Sequence, residues 1–479
     1  MTAEVEPPVI RGGTSALSAS EQEVMAAEVD APVGEWENEL PRAGFDYSTS
    51  PSSQWKLVAL LTAIGALSTI DRQILALLVE PLKADLQLTD VQIGILQGAG
   101  IAVTGFLIGP IAGIMADRYC RRCMIGTSAL LWSILTAVCG LSGSYAMLLF
   151  ARAGIGLFEG VHLPTATSML RDGLSVERRG RGFATMSMGN LGGVGLAMIG
   201  GGMLIAFFQS SLFQSIPVLG EIRPWRLVFL CFGLIGVPVA LLMLLVKEPM
   251  RGGPDKSGAA VGAGLSEAWR HIVEHWRIYL PLMLFSAMHG MLGLSFAAWI
   301  PAMLQRTWGL SIPQIGLTFG LLMLFLAPVG LWLTGAAMDR LNLRSPAGSA
   351  IVGLVVTAII GVVATSMPIA PSPLLFWALF ACLTLISGAA YPVTNVILST
   401  ITPSRALGKV FALQGLIAGI LVAVVAPSLV PIVASLYSEP KALNFALSTL
   451  VGTYSFIALL AIAALIRPMH RWAAGDDGD

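Results

Sequence analysis

The chain predicts an all-α membrane protein, with twelve transmembrane helices in two pseudo-symmetric six-helix bundles. Three observations carry that expectation. First, only 12% of its 479 residues are charged and 55% are hydrophobic, with a mean hydropathy of +0.78. A soluble domain carries roughly 25% charged residues to solvate its surface, so much of this surface must face lipid. Second, a span needs about 20 apolar residues at ~1.5 Å each, and that ruler finds twelve segments. Third, the chain repeats itself. Gly113, Asp117 and Arg118 close one long apolar segment with Arg121 and Arg122 beyond them. Gly335, Asp339 and Arg340 close another, with Arg344 following. A second pair, Gly180-Arg181-Gly182-Phe183-Ala184 and Gly408-Lys409-Val410-Phe411-Ala412, repeats at nearly the same offset.

In order, the spans are expected near 55–80, 91–117, 123–143, 145–171, 182–208 and 225–246, then 276–305, 312–338, 346–368, 372–400, 407–435 and 443–467. Ahead of them, residues 1–54 are acidic and proline-bearing, and read as a disordered tail. They contain no basic n-region followed by an apolar core, so no cleaved signal peptide is expected. The domains then read as an N-terminal bundle over 55–246, a linker over 247–275, a C-terminal bundle over 276–467 and a short tail over 468–479. Leu265, Trp269, Ile272 and Trp276 recur at helical spacing and predict an interfacial helix over 265–278, leading into the seventh span.

Loop charge gives the orientation. Connections after even-numbered spans hold Arg118, Arg121, Arg122, Arg171, Arg178, Arg179, Arg181, Lys247, Arg251, Arg270, Arg340, Arg405 and Lys409. Those after odd-numbered spans hold little beyond Lys83, Arg223, Arg306 and Lys441. The positive-inside rule therefore predicts that both termini are cytoplasmic, with a bacterial inner membrane the expected setting.

Several classes fall away. The formal net charge is zero, so no field toward nucleic acid is implied. No G-x-x-x-x-G-K-[ST], H-E-x-x-H or G-x-S-x-G occurs, which leaves no ATP site and no enzyme expected. Cys120 and Cys123 form the one C-x-x-C among five cysteines. A zinc site needs four ligands, and no second pair or histidine stands near them. Neither a metal, a cofactor nor a disulfide is expected.

The informative residues are charges at membrane depth, where an ionised side chain costs several kcal/mol unless a cavity or partner receives it. The first span carries Asp71 and Arg72, and the fourth carries Arg152, Glu159 and His162. Arg152 and Glu159 stand two turns apart on one face, with His162 close to it. Rises of ~1.5 Å per residue place Asp71 and Arg152 nearly level and Glu159 about two turns further in. The expectation is that one arginine, Arg152, is shared by the carboxylates of Asp71 and Glu159, which then exchange a proton. A duplicated apolar chain with such groups implies a transporter with its site between the halves.

These residues resemble the major facilitator superfamily. The G-x-x-x-D-R loops after the second and eighth spans match its signature, with Cys120 in place of a glycine. Arg152, Gly156 and Gly160 are similar to its fourth-helix motif, whose arginine is associated with proton coupling. Asp71-Arg72-Gln73, Gly94-Ile95-Leu96-Gln97, Leu131-Trp132-Ser133 and Glu159 before Gly160 resemble the Spinster branch. That resemblance implies proton-coupled transport of an amphiphile of lysophospholipid or sphingoid type. From the residues themselves, the expected coupling groups are Asp71, Glu159 and Arg152. Substrate contacts are expected from Arg72, Arg152, Glu159, His162, His289, Tyr391 and Asn395, and gating from Gly113, Asp117, Arg118, Arg122, Asp339 and Arg340.

Organic-anion symporters share the Asp-Arg pair and the glutamate, and stay open as an alternative, as does a proton-coupled drug exporter. The seventh and tenth spans favour the amphiphile, because they hold no lysine or arginine at cavity depth. The expected partners are substrate, protons and membrane lipid, with no nucleic acid and a monomeric chain.

Overall fold

The computed structural model describes residues 51–251, 261–342, 347–387, 390–438 and 441–473. The acidic N-terminal tail and residues 474–479 lie outside the described residues. Seventeen helices and no strand occur among those described. The N-terminal half comprises α1 (Pro51–Leu77), α2 (Val79–Leu86), α3 (Asp90–Gln97), α4 (Ala99–Arg118), α5 (Arg121–Leu141), α6 (Tyr145–Gly173), α7 (Val176–Phe208), α8 (Ser211–Gln214) and α9 (Pro224–Leu245). After the linker helix α10 (Val261–Glu274) come α11 (Trp276–Trp308), α12 (Ile312–Asn342), α13 (Gly348–Ser366), α14 (Pro373–Ser387), α15 (Ala390–Ile401), α16 (Ser404–Ala434) and α17 (Ala442–Ala473).

Ten of these helices are long and apolar enough to cross a membrane. The second span is divided into α3 and α4, and the tenth is described as α14 and α15 on either side of residues 388–389, which lie outside the described residues. The first division falls at Gly98, whose φ of −109° and ψ of −81° end one helix and begin the next. A side chain there would come within 2.3 Å of the Ala423 carbonyl of α16, so the break sits where the two backbones press together. Thr89 caps α3, its hydroxyl accepting from the Gln92 amide while Gln92 receives the Thr89 amide. That reciprocal pair fixes where the second span starts.

The two halves pack by one scheme. In the first, α5 lies on α9, α4 on α6 and α1 on α7. In the second, the corresponding helices repeat it, with α13 on α17, α12 on α14 and α11 on α16. The halves meet along α7 with α12 and along α16 with α3 and α4, which are again equivalent seams. Glycine makes both seams close. A Cβ on Gly195 would stand 2.8 Å from the Gly320 carbonyl, and one on Gly94 2.8 Å from that of Pro427. Phe150, Leu245, Trp332 and Leu374 are exposed, a surface suited to lipid rather than water.

One end of the bundle carries Arg118, Arg121, Arg251 and Arg340, and is called the basic face below. Arg121 is buried there and ties three elements together. It reaches Asp172 and the Ser168 hydroxyl on α6, and Glu248 and the Pro249 carbonyl beyond α9. Removing one partner of a buried ionic cluster costs about 3–5 kcal/mol. Arg121→Ala should therefore lower the thermal midpoint of the purified protein clearly, and an unchanged midpoint would show that the cluster contributes nothing. Cys120 and Cys123 lie together across the first turn of α5, with Cα atoms 5.3 Å apart. Three-residue spacing on a helical turn brings the two cysteines within bridging reach.

Candidate functional site

A cavity of about 940 Å³ lies between the halves. α1 gives it Thr69, Arg72 and Gln73, the α3–α4 break gives Gln97 and Gly98, α6 gives Glu159 and Gly160, and α7 gives Asn190. The opposite wall is Leu294, Ala297 and Ala298 of α11 with Leu416, Ala423 and Pro427 of α16. One wall is polar and charged. The other is apolar among the described residues.

The charged centre is a pair between the first and fourth spans. Arg72 Nε stands 3.4 Å from Glu159 Oε2, with the Arg72 side chain 53% exposed into the space and that of Glu159 4%. Ser68, one turn before Arg72, orients the guanidinium by accepting 2.7 Å from its Nη2. Neither Glu159 oxygen has a well-formed hydrogen bond. The contact is therefore one of charge, without the fork geometry that makes such pairs strong.

Arg152 does something other than expected. It is fully buried and donates to two backbone carbonyls, Asp71 at 2.9 Å and Leu96 at 3.4 Å. Among the described residues it forms no ion pair with either carboxylate. Arg152 thus pins the first and second spans to the fourth, while Arg72 takes the place beside Glu159. The physical reason is rotation. Neighbouring residues on a helix diverge by about 100°, so Arg72 faces the cavity when Asp71 faces the bundle interior. Asp71 is buried with its carboxyl toward Thr136 of α5.

Three further expected contacts are placed away from the cavity. His162 is buried with its ring edge-on to Trp132, centroids 6.1 Å apart. His289 is held 3.1 Å from the Phe285 carbonyl and 3.3 Å from Thr357 Oγ1 of α13, within the C-terminal half. Asn395 is half-buried and does not line the cavity. The side chain of Tyr391 lies outside the described residues. In their place stand Gln73, Gln97 and Asn190. The Gln97 Nε2 is buried with no partner among the described residues, an available donor for a ligand. An amide within an apolar span was the signal for all three, and a search for charge alone passes over it.

The cavity reaches toward the basic face, where it includes Gly109, Pro110 and Gly113. A side chain on Gly109 or Gly113 would meet open space. Asp117, Arg118, Asp339 and Arg340 are exposed and form no ion pair among the described residues. The linker residue Arg251 caps the end of α4 through the carbonyls of Ala116, Asp117 and Tyr119. Arg122 stays within its own half, donating 2.9 Å to the Val246 carbonyl after α9.

The far face is sealed. Arg306 of α11 forks onto Asp90 with bonds of 2.7 and 2.8 Å, and its Nε adds 2.8 Å to Glu80 of α2. Lys83 joins Asp90 as well. Just inside the seal, Trp299 Nε1 donates 2.8 Å to the Pro427 carbonyl. Pro431 has no N–H for that carbonyl, so the indole takes the missing partner's place. The two halves are thus tied together at the far face, while the cavity extends toward the basic face.

Residues 61–427 match the Major Facilitator Superfamily. The chain belongs to that family. A bacterial homologue of the human lysosomal transporter Spinster, in an inward-facing and unoccupied conformation, superposes with a TM-score of 0.75 at 23% identity, over 90% of this chain and all of that one. An MFS-type efflux pump of Mycolicibacterium smegmatis is 27% identical over 296 residues, 62% of this chain and 65% of the relative. A probable L-galactonate transporter of Escherichia coli K12 is 23% identical over 301 residues, 60% of this chain and 62% of the relative. The chain thus covers less than two thirds of the length of either sequence relative. It is an integral, multi-pass membrane protein of this superfamily.

Proposed function

We propose that this protein is a proton-coupled secondary transporter that carries an amphiphile of lysophospholipid or sphingoid type by alternating access. The carrying observation is the two-sided cavity, with Arg72, Glu159, Gln73, Gln97 and Asn190 on one wall and apolar residues among those described on the other. A headgroup has charge and amides to meet on the first wall, and a tail has Leu294, Ala298, Leu416 and Pro427 to lie against. About 940 Å³ is at the upper end of ordinary ligand pockets. The cavity runs on along α4 past Gly109 and Gly113, which leaves length for a tail.

Coupling follows from the loose Arg72–Glu159 contact. An anionic headgroup that takes Arg72 leaves Glu159 buried without its cation, and a dry unpaired carboxylate is carried most cheaply as the neutral acid. Substrate and proton then occupy the site together. Closing the basic face against Asp117, Arg118, Asp339 and Arg340, and opening the far face, moves both across. The two halves, 55–246 and 276–467, rock as units on the 247–275 linker, with the basic face cytoplasmic by the positive-inside rule.

A second reading has a specific observation in its favour. Arg72 is one cavity-facing guanidinium, enough for a small organic anion, and a probable L-galactonate transporter is among the relatives. Chain length separates the two. At a fixed headgroup, affinity should rise with each added methylene, by up to about fourfold where ~0.8 kcal/mol is realised. A flat series together with tight binding of a small sugar acid would replace the amphiphile with the anion.

A further inference from the structure

We propose that His271, Glu274 and His275 form a binding site for a divalent cation of the zinc class, at the junction of the linker helix α10 and the seventh span. The three residues offer one ligand atom each, all within 4.8 Å of one another. They follow the i, i+3, i+4 spacing that puts side chains on one helix face. The turn continues through the junction, since the His275 amide donates 3.1 Å to the His271 carbonyl. The two imidazole rings accordingly lie side by side, centroids 4.4 Å apart.

The ring nitrogens are arranged for ligation. His275 Nδ1 stands 3.0 Å from the His271 carbonyl. A carbonyl can only accept, so the proton is on Nδ1 and the Nε2 lone pair is free, as in ordered metal sites. His271 Nε2 is buried without a hydrogen-bond partner among the described residues. Its ring is held edge-on against Tyr279, centroids 5.6 Å apart, and beside the Ile401 carbonyl. A buried orphan nitrogen calls for a partner, and a cation between the two rings supplies one. Glu274 is exposed and forms no ion pair among the described residues, so its carboxylate is free to swing in. Two imidazoles and one carboxylate suit zinc, nickel or copper rather than magnesium or calcium. Bonds of about 2.0–2.1 Å require donors now within 4.8 Å of one another to close by up to roughly 1.5 Å, through rotation of the exposed glutamate and of His275.

The placement gives the ion something to control. Its ligands run up to the break at His275, where φ is −109° and ψ 32°, so binding would stiffen the last turn of the linker helix just before α11. One turn on, Tyr279 shares a 2.7 Å hydrogen bond with Thr402, between α15 and α16. α10 itself packs on α16. The site thereby lies where the linker helix meets the C-terminal half. The inference is independent of the transported substrate. Metal binding was set aside in the sequence because no histidine stands near Cys120 and Cys123, and the histidine pair lies about 150 residues away from them.

The test uses the full chain, purified with any affinity tag removed. Calorimetry with Zn²⁺ and the visible absorption of bound Co²⁺ should each report one equivalent. His275→Ala and Glu274→Gln should each weaken binding by about tenfold or more, with thermal midpoints confirming that both variants are folded. Hydrogen exchange across residues 268–280 should slow on adding Zn²⁺ to the unaltered chain, and should not change in His275→Ala. Absence of a one-equivalent site in the unaltered chain would overturn the proposal. So would binding that both variants retain unchanged.

Discussion

Glu159→Gln should abolish the response of transport to a pH gradient while leaving substrate binding largely intact. The amide keeps the shape of the neutral acid, so Arg72 remains free for the headgroup, but no proton can be taken or released. Arg72→Ala should instead weaken binding of an anionic headgroup by about 10- to 100-fold, the ~1.5–3 kcal/mol of a hydrogen bond to a charged group. It should also leave Glu159 without its 3.4 Å cation. Arg152→Ala is expected to fail in a different way. Arg152 holds the Asp71 and Leu96 carbonyls, so its loss should appear first as lowered thermal stability. Equal pH-driven uptake by Glu159→Gln and the unaltered protein would remove the glutamate from the coupling step.

Opening of the far face should follow from breaking the Arg306 fork. Arg306 bonds to both Asp90 oxygens and to Glu80 across the two halves, with each of the three side chains about a quarter to a third exposed. Partial solvation discounts such a pair, and about 1–3 kcal/mol is a reasonable scale, a roughly 5- to 100-fold population shift. Arg306→Ala should increase thiol labelling of a cysteine placed beside Gln97 from the far side, and unchanged labelling would show that the fork does not hold the seal. The seal should also depend on pH. Burial works to raise the Asp90 carboxyl, but hydrogen bonds from Arg306 and Lys83 outweigh it and hold it below the usual carboxylate range. A depressed carboxylate stabilises its state above the ordinary range, and that stability is lost as pH falls through the lowered value. Far-side labelling should therefore increase only in strong acid, and Asp90→Asn should remove that dependence.

The architecture was legible because its causes are local. Apolar runs of span length, repeated loop markers and the one-sided placement of arginine each follow from lipid as solvent. The break at Gly98 was not legible. A glycine in an apolar run reads as packing, and only the approach of Ala423 shows that the chain must divide there. In the site, Arg72 and Glu159 were visible as intramembrane charges, but their pairing was not. That pairing depends on how the first and fourth helices are rotated about their axes. His162 and His289 carried the same signal as true cavity residues, and rotation turned them toward Trp132 and Thr357. The far-face seal was invisible for another reason. Glu80 and Asp90 stand 226 and 216 residues from Arg306, and each alone resembles a solvated loop charge.

Flux into proteoliposomes under an imposed pH gradient is the most direct measurement, run in parallel with a lysophospholipid, a sphingoid phosphate, a sugar acid and a cationic drug. The account predicts that the gradient drives movement of a single-tailed amphiphile, that proton flux accompanies it, and that Glu159→Gln uncouples the two. Gradient-independent movement of the amphiphile, or coupled transport of the sugar acid alone, would contradict it.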